Sequence, residues 1–240
     1  MSNPFFNVTR SPLTTTFNGE ELNVGKDALI NSETGNVLGI VTPTYKVVTN
    51  EQVNDLINRV FDLSNVPVLK TIDHLNGMTT KWTREIVLDG EHYTHKIDNQ
   101  DVIKTRVLVT NGYDTFTPVS VTISAWRMVC SNGMFGWKNA FSSYYRHMTD
   151  DVIGLLKSDF ERHNYNLKSS IDLWNKWSKI DFKQDQFDDF IDMVSVNPED
   201  AIISAKQGDG IKALYEPIMN KYNETETLYG AYNVLTAIQT

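Results

Sequence analysis

Near residue 149 the hydrophobic period of the chain changes, and that change constrains the fold more than any other feature. Upstream, from Val68 to Cys130, β-branched and aromatic residues dominate and are interrupted by Asp89-Gly90 and Asn111-Gly112. These dipeptides readily take positive φ, so they read as turns between antiparallel strands. Downstream, apolar residues recur at three- and four-residue intervals, as on an amphipathic helix. Strands gathered before helices, rather than alternating with them, predict an α+β chain: an antiparallel β-meander preceded by one helix and followed by a helical C-terminal half.

The elements can be placed within that outline. Val37 to Thr42 is β-rich, and Thr49 with Gln52 has the spacing of a capping box, so a helix begins there. Val53, Ile57, Val60 and Phe61 make its apolar stripe, and Asn65 with Pro67 ends it. Strands are expected over residues 68–75, 78–88, 104–110 and 119–128, with a polar, turn-rich stretch from Glu91 to Asp101. On the last strand Val119, Val121, Ile123, Ala125 and Arg127 share one face, opposite Ser120, Thr122, Ser124, Trp126 and Met128. Asp150 and Asp151 suit a helix N-terminus. Val152, Ile153, Leu156 and Phe160 form the first helical stripe, Ile171, Trp174 and Trp177 the second, and Phe187, Phe190, Ile191 and Val194 the third. Asn197-Pro198 caps another helix, and a final pair covers residues 211–222 and 225–238. No internal repeat is present. The expected organisation is a polar N-terminal arm or pair of short edge strands over residues 1–36, an α+β core over residues 37–149, and a helical region over residues 150–240 packed on that core.

Several classes of protein are excluded on simple grounds. The single cysteine, Cys130, rules out an intramolecular disulfide framework and a Cys-based zinc ribbon. No apolar run approaches the ~20 residues of a spanning helix, and Met1 to Arg10 lacks the basic and apolar stretches of a secretory leader. A cytoplasmic protein without membrane association is expected. The net charge of −8 is unevenly spread: −5 over residues 1–102, +4 over residues 103–149 and −7 over residues 150–240. An acidic chain repels nucleic acid at long range, but contact is decided by the local patch. Only the central segment is basic.

That segment holds the most informative stretch, Trp126-Arg-Met-Val-Cys-Ser-Asn-Gly-Met-Phe-Gly-Trp-Lys. Ser131-Asn132-Gly133 has the composition of a backbone anion nest. The same residues also suit a plain strand-to-helix turn, and the spacing of a Walker loop is absent. Trp126, Phe135, Trp137, Phe141, Tyr144 and Tyr145 interleave with Arg127, Lys138 and Arg146. Flat rings for unpaired bases and cations for the backbone are what single-stranded nucleic acid requires. Trp137, Phe141 and Tyr144 fall at helical spacing and read as packing. The candidate nucleic-acid interface is therefore Lys104, Arg106, Trp126, Arg127, Asn132, Lys138, Tyr145 and Arg146.

Other candidates are weaker. Cys130 is a nucleophile only if a base such as His147 meets it, and no spacing joins the two. His92 and His95 offer two imidazoles, where zinc needs three or four convergent ligands. Asp185, Asp188, Asp189 and Asp192 form the polar face of a helix and read as solvated. Asn7-Val-Thr and Asn223-Glu-Thr match the glycosylation pattern, which carries no weight without secretion. No catalytic motif stands above background, and no metal or cofactor is expected.

Four stretches together resemble a known family: Val37-Leu-Gly-Ile-Val-Thr-Pro-Thr-Tyr-Lys-Val-Val-Thr-Asn-Glu-Gln, Arg127-Met-Val-Cys-Ser-Asn-Gly, Arg146-His-Met-Thr, and Thr227-Leu-Tyr-Gly-Ala-Tyr-Asn-Val-Leu-Thr-Ala. They are similar to the phage- and plasmid-encoded domain of unknown function 932 family, over roughly residues 30–240. Members commonly continue past the closing helix, whereas this chain stops at Thr240, so the resemblance implies either a shortened member or a trimmed one. It implies a mobile-element setting inside a host cell rather than an activity. The order of elements is also similar in outline to phage strand-annealing proteins, an analogy of fold order alone.

Two functions from different classes follow as expectations. One is a single-stranded DNA-binding or strand-annealing accessory protein in replication, recombination or transcription, with the basic segment as its phosphate track and homo-oligomerisation left open. The alternative is an acidic protein-interaction factor that inhibits or recruits a host or phage protein. An enzyme working through Cys130 or the histidines is a third expectation.

Overall fold

A computed structural model describes residues 3–97, 101–127, 142–145, 152–195 and 202–238. The fold is α+β with antiparallel sheets, and the helices dominate its C-terminal half.

The polar first residues form two full strands, β1 (Val8–Phe17) and β2 (Glu20–Asn31), longer than short edge strands. Asn18 and Gly19 both take positive φ between them, the geometry that matches the twist of a two-residue hairpin. With β3 (Val37–Val41) they make a three-stranded sheet in the order β1-β2-β3. Leu29, Leu38 and Val41 of this sheet pack with Phe6 and Tyr113.

Helix α1 (Asn50–Leu63) starts as its sequence requires: Thr49 and Gln52 satisfy each other's backbone N–H in a capping box. All four stripe residues, Val53, Ile57, Val60 and Phe61, are buried. Positive φ at Asn65 and the following Pro67 stop it.

Among the described residues the second sheet has six strands: β4 (Val68–Leu75), β5 (Lys81–Leu88), β6 (Thr94–Ile97), β7 (Asp101–Gly112), β8 (Val119–Arg127) and β9 (Ser142–Tyr145). Their order is β4-β5-β7-β8-β9, with β6 paired to β7. Two local expectations change here. The stretch from Glu91 to Asp101 is not only turn: Thr94–Ile97 pairs with residues 101–104, because that register buries Ile97 opposite Asp101 and sets His95 beside buried Ile103. Asn111-Gly112 is not a turn either. Asn111 is fully buried, and its side-chain amide donates to the Val48 carbonyl at 3.0 Å and to Asn50 Oδ1 at 2.9 Å, which holds it in the strand. The chain reverses after it, where Thr115 takes positive φ and Asp114 accepts from the backbone N–H groups of Phe116 and Thr117.

A cross-strand pair ties β4 to β5. Asp73 and Arg84 lie directly opposite, and the guanidinium bonds both carboxylate oxygens at 2.8 Å while resting over the rings of Phe5 and Trp82. Burial raises the Asp73 pKa, but the hydrogen bonds from Arg84 and from the Trp82 indole, with the guanidinium charge, hold it below the ordinary carboxylate value.

The C-terminal helices are α2 (Val152–Trp177), α3 (Gln184–Ser195), α4 (Ala205–Tyr222) and α5 (Leu228–Ile238). The stripes expected at Phe160 and at Ile171 and Trp174 fall on the single helix α2. Helix α4 begins earlier than its apolar pattern suggests, at a second capping box made by Ser204 and Gln207; Gly208 and Gly210 dilute the stripe there. Phe187, Ile191, Tyr215, Met219, Ala231 and Val234 form the core of α3, α4 and α5. Asn197-Pro198 lies outside the described residues.

The chain divides into two compact units, one made of Met1–Gly90, Arg106–Ile123 and Phe141–His163, the other of Glu91–Thr105, Ser124–Ala140 and Asn164–Thr240. Each is discontinuous in sequence, since β7, β8 and α2 contribute to both. Among the described residues no helix is long and apolar enough to cross a membrane.

Two glycines of the helical unit make a paired prediction. A Cβ on Gly230 would stand 2.0 Å from the Thr225 carbonyl oxygen, whereas one on Gly210 would meet nothing. Gly210→Ala should therefore gain up to ~1 kcal/mol of helix propensity, while Gly230→Ala should lose about 1–3 kcal/mol to overpacking, both read from urea unfolding. Asp73 supplies a pH prediction. A carboxyl whose folded pKa is depressed contributes stability above its unfolded value, about 3.9, that is lost as pH falls through the folded value. Asp73→Asn should accordingly flatten the loss of stability between pH 5 and pH 2 in acid-titrated thermal melts.

Candidate functional site

The two cations of β7 do not face solvent. Lys104 is 8% and Arg106 3% exposed; residues 103–107 are buried consecutively, so neither face of the strand is wet. Arg106 Nη1 lies 3.7 Å from Glu85 Oε1 on β5, and burial works against the guanidinium charge while Glu85 supports it. This corrects the expectation of a phosphate track through Lys104 and Arg106. A strand covered on both faces hides its alternation, and charged residues in it look exposed when only composition is read.

Of the other candidates, the backbones of Trp126, Arg127 and Tyr145 are described. Trp126 and Arg127 end β8, and Tyr145 ends β9. The β8–β9 register pairs Tyr145 with Val119, at the start of β8 rather than its end. Asn132, Lys138 and Arg146 lie outside the described residues, as do Cys130 and His147. Tyr144 is 68% exposed on β9, so it is not the packing residue that helical spacing suggested; it sits on a strand.

His95 sits on β6, half-buried, its pKa lowered by burial and by Lys168 against the opposing charge of Asp172. Among the described residues no group of three His, Cys, Asp or Glu side chains converges to hold a metal ion. Ser143 Oγ and His163 Nε2 approach to 3.0 Å, a pair the sequence did not announce because 20 residues separate them. Both residues are buried, which keeps substrates from the hydroxyl.

An apolar cavity in the helical unit has a different character. Its volume is about 230 Å³, and it is open on one side. Leu228, Ala231, Tyr232 and Leu235 of α5 form one wall, Phe187 and Phe190 of α3 another, and Trp177 and Phe182 complete it. The α5 residues recur at i, i+3, i+4 and i+7, one face of the helix. Tyr232 is held by Trp174 and Trp177, at ring separations of 5.9 Å and 5.5 Å. Phe190 belongs to the expected apolar stripe of α3, yet it is 43% exposed because it stands at the mouth rather than in the core. Asp185, Asp189 and Asp192 are exposed on the same helix, and Asp192 pairs with Lys212.

A family model, "Domain of unknown function (DUF932)", matches residues 37–239. The chain belongs to that family. No curated protein and no solved structure matches it.

Two of the stretches that carry the family resemblance can be read physically, and both act as structural locks. In the first, Gly39 lets β3 approach the backbone of Tyr113, where a Cβ would come within 2.1 Å of the carbonyl oxygen. Asn50 donates its backbone N–H to the Tyr113 hydroxyl at 2.9 Å and its side-chain amide to the Pro4 carbonyl at 2.8 Å. Burial pushes that phenol up to about 12, so it stays neutral. In the second, Thr227 Oγ1 accepts from the Gly230 backbone, Tyr229 donates to buried Asp101 at 2.9 Å, and Asn233 donates to Glu224 at 3.0 Å. These residues close helices and join strands.

Arg106→Met should lower stability by about 3 kcal/mol in urea unfolding, because it strips the partner from partly buried Glu85 and empties a filled site. An exposed phosphate-binding arginine would leave stability within about 0.5 kcal/mol of wild type.

Proposed function

We propose that this protein is a protein-interaction factor that captures a host or phage protein through its acidic helical unit, inhibiting or recruiting it. The apolar cavity between α3 and α5 carries this reading. Soluble proteins seldom leave a concave apolar surface open unless something fills it. Its setting is anionic: residues 150–240 carry a net charge of −7, which repels nucleic acid and favours a cationic partner. The single-stranded DNA reading is weaker once Lys104 and Arg106 are inside the fold; what remains of it rests on Arg127, Lys138 and Arg146. An enzymatic reading rests on Cys130 and His147, and no described group supports it.

The test is chemical crosslinking in expressing cells followed by purification of wild type and of Leu228→Trp, which fills the cavity. A partner crosslinked in stoichiometric yield to wild type and lost from Leu228→Trp is the expected result, with circular dichroism showing that the variant is folded. Equal recovery from both removes the cavity from the function. In parallel, fluorescence anisotropy with single-stranded oligonucleotides at two salt concentrations should show no salt-sensitive binding. Salt-sensitive binding that disappears in Arg127→Ala/Arg146→Ala would restore the DNA reading in its place.

A further inference from the structure

We infer that the cavity between α3 and α5 receives one aromatic side chain from the apolar face of a basic amphipathic helix; this rests on the protein-capture reading and names the chemistry of its partner. Volume comes first. An apolar cavity of about 150 Å³ admits a benzene ring, so 230 Å³ accommodates a larger ring together with the methylene that carries it. The walls supply aliphatic and aromatic surface, so a charged or sugar-like ligand would lose its water without gaining partners. A buried aromatic anchor loses nothing of that kind and is the usual centre of a tight interface.

Shape narrows the occupant further. From Leu228 to Leu235 the wall of α5 runs two turns, about 10 Å at 1.5 Å per residue. A partner helix presenting anchors at i, i+3 or i+4 and i+7 has the matching repeat. Met193, three residues after Phe190 on α3, is an exposed thioether outside the cavity's lining.

Charge decides which helix. Residues 176–192 and 224–235, which contain all of the cavity's walls, hold three lysines against seven carboxylates. Asp185 and Asp189 are exposed, and α5 has no charged residue at all. A partner with lysine or arginine on its polar face is attracted and held in register by these acids. A second copy of this chain, with the same net charge of −8, would set acid against acid.

The experiment uses the full chain and a stapled amphipathic helix with lysines on its polar face and a single tryptophan flanked by leucines one turn away. Saturable binding is expected by fluorescence anisotropy of the labelled peptide. Replacing the peptide tryptophan by alanine should weaken it about tenfold or more, replacing its lysines by glutamate should weaken it and reverse the sign of its salt dependence, and Phe190→Ala in the protein should weaken it several-fold. Equal affinity for the tryptophan and alanine peptides, or no saturable binding, overturns the inference. The peptide series needs no protein variant, so it decides the matter even where a cavity variant folds poorly. If a crosslinked partner depends on Leu228 yet no basic helix binds, the basic aromatic helix is the wrong occupant while protein capture stands; if neither is observed, both fall.

Discussion

The unbroken burial of residues 103–107 in β7 is the constraint on which the placement of the sheet's polar residues depends. This strand pairs with β5 through residues 106–112 and with β6 through residues 101–104, and residues 103–107 are covered without a break. A polar group in such a strand is tolerable only with a partner. Arg106 therefore meets Glu85, Asn111 meets Asn50 and the Val48 carbonyl, and Asp101 meets Tyr229. The basic character of the middle of the chain is, for two of its cations, an internal matter of the sheet.

The same logic applies to two of the stretches that carry the family resemblance. Gly39 and Gly230 each allow one backbone to reach another, Asn50 and Tyr229 satisfy groups far away in sequence, and Asn233 bonds Glu224 nine residues earlier. Residues with such duties are read in a sequence as chemistry because they are polar and unusual. In this fold they hold strands and helix ends in place. The proposed binding site, the cavity between α3 and α5, is made of ordinary apolar residues that no motif would single out.

Much of the fold was legible because local physics agreed with it. The Thr49/Gln52 capping box opens α1, its four stripe residues are buried, and β4 occupies the expected residues 68–75. The failures share a cause. Asn111-Gly112 has turn chemistry, but Asn111 finds two buried acceptors in the strand. Thr94–Ile97 lacks an alternating pattern of its own and becomes β6 only because β7 offers an edge. Tyr144 fits a helical spacing with Trp137 and Phe141, yet it lies on β9. Of the candidate interface, Lys104 and Arg106 were misplaced because burial on both faces of a strand leaves no alternation to read.

What the sequence by itself determined is the order and kind of the elements: an antiparallel β region after one helix, then helices, within the family whose model spans residues 37–239. Periodicity, caps and turn dipeptides are short-range properties, and they survive translation into structure wherever no distant partner competes. Only the tertiary structure decided which charges are inside and which apolar residues surround a cavity. Both depend on what lies across the fold from each side chain, and neither burial nor concavity is encoded within the span of a few neighbouring residues.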